Sequence, residues 1–115
     1  MTKFSITKKN GSYILMCRDH AISDVCRGVS ALIYACAQTL MVEHKLQRDE
    51  EVKVSLISGE AYITVYPKRE FEERTKLILR TCALGMMCIA ETYPQELEVS
   101  ALCVLDDCLE KSGEK

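Results

Sequence analysis

The chain has 115 residues, 48% hydrophobic and 28% charged, the balance of one globular domain with a core large enough to fold alone. A formal charge of −2 supplies no basic field and argues against nucleic-acid backbone binding as the main role. No apolar run approaches the roughly 20 residues needed to span a bilayer, and the N-terminus alternates apolar and polar residues where an export signal would be continuously apolar, so the chain is expected in the cytosol and off the membrane.

Phe4 and Ile6 alternate with Ser5 and Thr7, the period of a half-buried strand. Asn10-Gly11 follows and reads as a hairpin turn, because both central positions of that turn need positive φ. A second strand over 12–17 carries Tyr13, Ile14, Leu15 and Met16. Arg18-Asp19-His20 then leads to a helix that starts near Val25, with Ser23 or Asp24 as its cap, and runs to about His44. Val25, Val29, Leu32, Ile33, Cys36, Leu40 and Met41 recur at helical spacing and form its apolar face.

A polar link over 47–50, read as a solvated loop, precedes a second hairpin. Val52, Val54 and Leu56 alternate with Lys53 and Ser55, Ser58-Gly59 turns the chain, and 62–66 returns rich in β-branched and aromatic residues. Pro67 ends that strand. A second long helix is predicted over 71–92, with Phe71, Ile78, Cys82, Met86 and Ile89 near one stripe. Gly85 in mid-helix costs about 1 kcal/mol against alanine and so marks close approach of another backbone, the first helix being the candidate. Tyr93-Pro94 stops the helix, and 97–99 reads as a closing strand. Residues 1–105 thus form one domain and 106–115 a charged, frayed tail. The order ββαββα plus a short closing strand predicts an α+β two-layer sandwich, a mixed sheet covered by two long helices.

The seven cysteines are odd in number and come without an export signal, so no disulfide framework is expected. Six sit among apolar neighbours and read as core or near-core; Cys26 reads as the chemical one. A thiol at a helix start faces unpaired N–H groups and the positive end of the peptide dipoles, which favour the nucleophilic thiolate. His20 is tied to it by only the five residues from Ala21 to Val25 and is the candidate acid and base. By spacing alone such a pair is ordinarily structural. What singles out Cys26 is the opener neighbourhood of Arg27 and Gly28.

Gly28 leaves room for a substrate backbone or for a neighbouring helix. Ser30, one turn after Cys26, either bonds near the thiol or bonds a carbonyl of its own helix. Asp24 is better explained as a cap than as an orienter of His20, and Asp19 points away from its neighbour on an extended chain. Cys17, His20 and Cys26 offer three metal ligands, but there is no CxxC pair and no fourth ligand, so no metal is expected. No Gly-rich phosphate loop occurs, and no cofactor is expected.

With these residues in view, the chain resembles the bacterial ribosomal-processing cysteine protease Prp family. Members carry Gly-His-Ala, a Gly-containing loop, then Asp-Ile-Val-Cys-Ala-Ala/Gly-Val-Ser-Ala-Leu. The counterparts here are Asp19-His20-Ala21 and Asp24-Val25-Cys26-Arg27-Gly28-Val29-Ser30-Ala31-Leu32. A second likeness is Leu84-Gly85 leading to Ala90-Glu91-Thr92-Tyr93-Pro94, which matches the family's closing helix.

The resemblance implies a homodimeric α+β protein whose Cys–His dyad removes an N-terminal extension from a large-subunit ribosomal protein, or processes a related phage structural precursor. In that picture Cys26 attacks the scissile carbonyl, His20 shuttles the proton, and an apolar groove beside the dyad takes an extended peptide. Two departures stand out: Asp19 replaces the glycine before the histidine, and the loop between the dyad residues is several residues shorter. The shortened loop leaves a second reading, a non-catalytic peptide-binding or assembly module on the same fold.

Overall fold

Asn10 and Gly11, with φ of 52° and 84°, turn β1 (Thr2–Lys9) back into β2 (Ser12–Arg18), as the Asn-Gly pair requires. The computed structural model describes residues 1–19, 24–57 and 59–105. After β2 come α1 (Asp24–Lys45), β3 (Asp49–Ile57), β4 (Glu60–Pro67), a 3-10 turn (Arg69–Phe71), α2 (Glu72–Thr92) and β5 (Leu97–Leu102). The sheet order is β3-β4-β2-β1-β5. All pairings are antiparallel except β1 with β5, so the sheet is mixed, as expected.

Each long helix carries the chain between two strands that run in the same direction, which a tight turn cannot do. Burial alternates along the strands: Phe4, Ile6, Tyr13, Leu15, Cys17, Ile63 and Val65 are all but sealed, while their neighbours face outward. The sealed side is the one the helices cover, giving two layers around one core.

The helices differ from expectation in their buried stripes. On α1, Val25, Val29, Ile33, Cys36 and Leu40 are buried as predicted, but Met41 is exposed and Ala37 fills the stripe instead. On α2 the stripe centres on Thr75, Leu79, Cys82, Ala83 and Met86, with Ile78 and Ile89 at its margins. Cys88 is exposed, not core, while Cys108 and the predicted tail lie outside the described residues.

By length and composition α1 does reach what a membrane span needs, at a mean hydropathy of 1.4, contrary to the expectation above. Here its apolar face packs on the sheet, which is what a core helix does.

The link after α1 is solvated only in part: Gln47 and Glu50 are exposed, but Asp49 is buried and already in β3. Gln47 takes φ 61°, its amide donates to the His44 carbonyl (2.9 Å), and the Arg48 amide donates to that of Glu43 (3.1 Å), closing the helix in a Schellman-type stop without glycine. The chain then enters β3 at Asp49, itself 3% exposed and accepting a bond from Thr75 Oγ1 at 3.1 Å. Beside it the buried Glu43 carboxylate accepts from Arg48 (2.7 Å) and from Arg74. At the same end of the sheet, one turn earlier on α2, Lys8 and Tyr13 both donate to Glu72, at 2.8 and 2.7 Å.

Candidate active site

The exit of β2 delivers the chain to the mouth of α1. Asp19 adopts φ 59°, a left-handed conformation that glycine takes freely and Asp tolerates better than most residues. The Thr2 hydroxyl, buried in the first strand, lies 3.5 Å from the Asp19 carbonyl and ties this exit to the sheet. His20, Ala21, Ile22 and Ser23 lie outside the described residues, and with them the imidazole of the expected dyad and one of the two expected caps.

Asp24 is already helical, so it sits in the first turn and not at the cap position. Its exposed carboxylate is 3.9 Å from Arg27 Nη1 and faces the positive end of the helix. Cys26 is the third helical residue and is half-buried. Its position in the first turn places it among backbone amides that have no partner inside the helix.

Of the two roles expected for Gly28, the structure shows the clearance for a neighbouring helix. A Cβ there would lie 3.3 Å from Ile89 Cδ1, so its small size serves the packing of α1 on α2. Gly85 plays the same part from the other side: a Cβ would come within 2.8 Å of Leu32 Cδ1, the close approach the sequence predicts.

Ser30 and Tyr34, one and two turns beyond Cys26, line a groove of about 230 Å³ between α1 and the tip of the β3–β4 hairpin. Ile33 and Cys17 lie on its inner side and Leu56, Ile57 and Glu60 on the hairpin side. Ile57 is 63% exposed and Tyr34 54%. Burial pushes the Cys17 thiol up to about 11, with Cys82 and then Cys26 adding to the rise, so Cys17 stays a thiol in the core next to the nucleophile candidate.

Sequence reasoning missed the hairpin wall of this groove. Tyr34 was within reach, since it falls two turns from Cys26 on the same face. Ile57 and Glu60 carry no local signal because a distant element brings them here. Among the described residues no group of three or more His, Cys, Asp or Glu is arranged to hold a metal ion; the set of Cys17, His20 and Cys26 includes a residue outside them.

Fold and site together define a two-layer α+β domain with a cysteine in the first turn of a core helix and a groove between that helix and the β3–β4 hairpin, lined from Ser30 onward. The chain belongs to the cysteine protease Prp family, whose model matches residues 1–98.

Similar solved structures agree on the fold. One is the essential ribosomal processing protease Prp from S. aureus in complex with a covalently linked product peptide; it is 19% identical, with a TM-score of 0.67, over 88% of this chain and 99% of that one. The same S. aureus protease in complex with a substrate peptide is 17% identical, with a TM-score of 0.65 and the same coverage of both chains. SMU.848 from Streptococcus mutans is 20% identical, with a TM-score of 0.63 over 89% of this chain and 97% of that one. No curated protein matches the chain in sequence.

Proposed function

We propose that this protein is a cysteine endopeptidase that removes an N-terminal extension from a large-subunit ribosomal protein, or cuts a related phage structural precursor. The observation that carries the proposal is the half-buried Cys26 in the first turn of α1, with a groove of mixed polar and apolar lining that begins one turn further along the helix at Ser30 and Tyr34. Membership of a cysteine protease family supports it, as does the S. aureus relative's complex with a covalently linked product peptide.

In this reading Cys26 Sγ attacks the scissile carbonyl carbon as its proton passes to His20. The carbonyl oxygen becomes an oxyanion beside the backbone amides of the first turn of α1, at the positive end of the helix. His20 returns the proton to the leaving amine and the C–N bond breaks, leaving a thioester on Cys26. Water then adds to the thioester, the C–S bond breaks, the peptide leaves as a carboxylate and the thiol is restored. The Tyr34–Ile57 groove takes apolar side chains of the extended peptide. We place the enzyme in the cytoplasm as a homodimer, acting without metal or cofactor.

The test is incubation with ribosomal and phage precursors carrying such extensions. Wild type is expected to cut, and Cys26→Ala and His20→Ala to lose cutting by at least about a hundredfold. Equal cutting by all three removes the proposal. Peptide binding by the wild type with no cleavage of any precursor would instead favour a non-catalytic module. The short loop and Asp19 are the features that favour this second reading.

A further inference from the structure

The two long helices pack antiparallel, and their contacts step along both in register. Ile89 lies over Gly28, Leu32 over Gly85, and Arg74 reaches Glu43 at the far end. Between those points the same register sets Cys36 opposite Cys82. Cys82 Sγ lies 3.8 Å from the Leu32 carbonyl, which is one turn before Cys36 on α1.

The helices are close at this crossing. Leu32 fills the space a side chain at Gly85 would need, and Cα atoms of α1 and α2 come within 8 Å of one another. Disulfides require Cα separations below about 7 Å, a distance that a glycine-cleared helix crossing permits. The Cys36 and Cys82 side chains are in hydrogen-bonding contact, and that contact, ahead of burial, raises the Cys82 pKa. Both cysteines are buried, at 5% and 4% exposure, but they line a groove of about 190 Å³ on the outer side of the helix pair, with Leu32, Ile78 and Thr81, which is the route for a small oxidant.

We propose that Cys36 and Cys82 form a redox modification site, joined by peroxide into a disulfide between α1 and α2 and released by a dithiol. One sulfur gives up its proton and attacks the peroxide as the thiolate: an S–O bond forms, the O–O bond breaks, the departing hydroxide takes up a proton and leaves as water, and a sulfenic acid remains. The second sulfur attacks the first, the S–S bond forms, the S–O bond breaks and a second water leaves. Two electrons pass from the thiols to the peroxide. The site lies up the helix from Cys26 and does not depend on the proteolytic reading.

The test is a peptide map of the wild-type chain after hydrogen peroxide, with the exposed Cys88 as the internal measure of oxidation. At exposures that oxidise Cys88, a cross-linked pair of peptides containing Cys36 and Cys82 is expected, lost again on dithiothreitol. The oxidised protein is expected to unfold at a higher temperature than the reduced one, because the link closes a long loop. In Cys36→Ala both the cross-link and the shift should be missing. Recovery of Cys36 and Cys82 as separately alkylated peptides, or a bridge from either one to another cysteine, overturns the proposal.

Discussion

Asp19 holds a backbone conformation that most side chains resist, one residue before the expected base. This gives a physical reason for a glycine at that place in related proteins and shows how the chain manages without one. Asp19→Gly is therefore expected to change stability by less than about 0.5 kcal/mol. Asp19→Val, β-branched at positive φ, is expected to cost about 1–2 kcal/mol. Urea midpoints for the two variants check this; a harmless valine would mean that the exit of β2 is not held in this conformation.

At the scale of elements, α1 meets its surroundings on two sides. Toward α2 it is fitted by Leu32 against Gly85. Gly85→Ala gains helix propensity of about 1 kcal/mol but brings a methyl into the Leu32 side chain. Combined with Leu32→Ala, the same change is expected to be clearly stabilising relative to Leu32→Ala alone. A double-mutant cycle by urea denaturation reads the difference, and simple additivity would deny the contact.

Toward the β3–β4 hairpin, α1 leaves the groove in which Ile57 stands exposed. Ile57→Asp should leave the fold within about 0.5 kcal/mol of wild type. It is expected to lower kcat/KM on a cleaved precursor about tenfold, the loss of one apolar contact made worse by a charge next to Glu60. Unchanged processing would mean that the peptide takes another route across the molecule.

For the molecule as a whole, the polar groups that pin helices to sheet predict how stability responds to acid. Hydrogen bonds from Lys8, then Tyr13, hold the Glu72 carboxyl below its ordinary 4.5. For Glu43 burial pushes upward, but the bonds from Arg74 and Arg48 outweigh it and the net shift is down. Both groups bind protons less tightly folded than unfolded. Their stabilisation is present above about pH 4.5 and is lost as the pH falls through their folded values.

Asp49 has the opposite sign, because burial raises it above its ordinary 3.8. Its contribution is present below that value and is lost as the pH rises through its folded pKa. Glu72→Gln should therefore flatten the acid limb of stability against pH, and Asp49→Asn should steepen it. Equilibrium unfolding between about pH 2 and 6 measures both slopes.

Local spacing by itself determined the Asn10-Gly11 hairpin, the spans of both helices, the closeness marked by Gly85 and Cys26 at a helix start. Each depends on residues within a few turns of one another, where φ preference and periodicity act directly. Only the tertiary structure decided that β5 pairs parallel to β1, that Gln47 closes α1 without glycine, and that Glu43 and Asp49 are buried beside Arg74 and Thr75. It also decided that Ile57 faces Tyr34 across a groove and that Cys36 meets Cys82. The partners in these pairings lie on separate elements, and which of them meet depends on how the helices pack over the sheet, which no local pattern encodes.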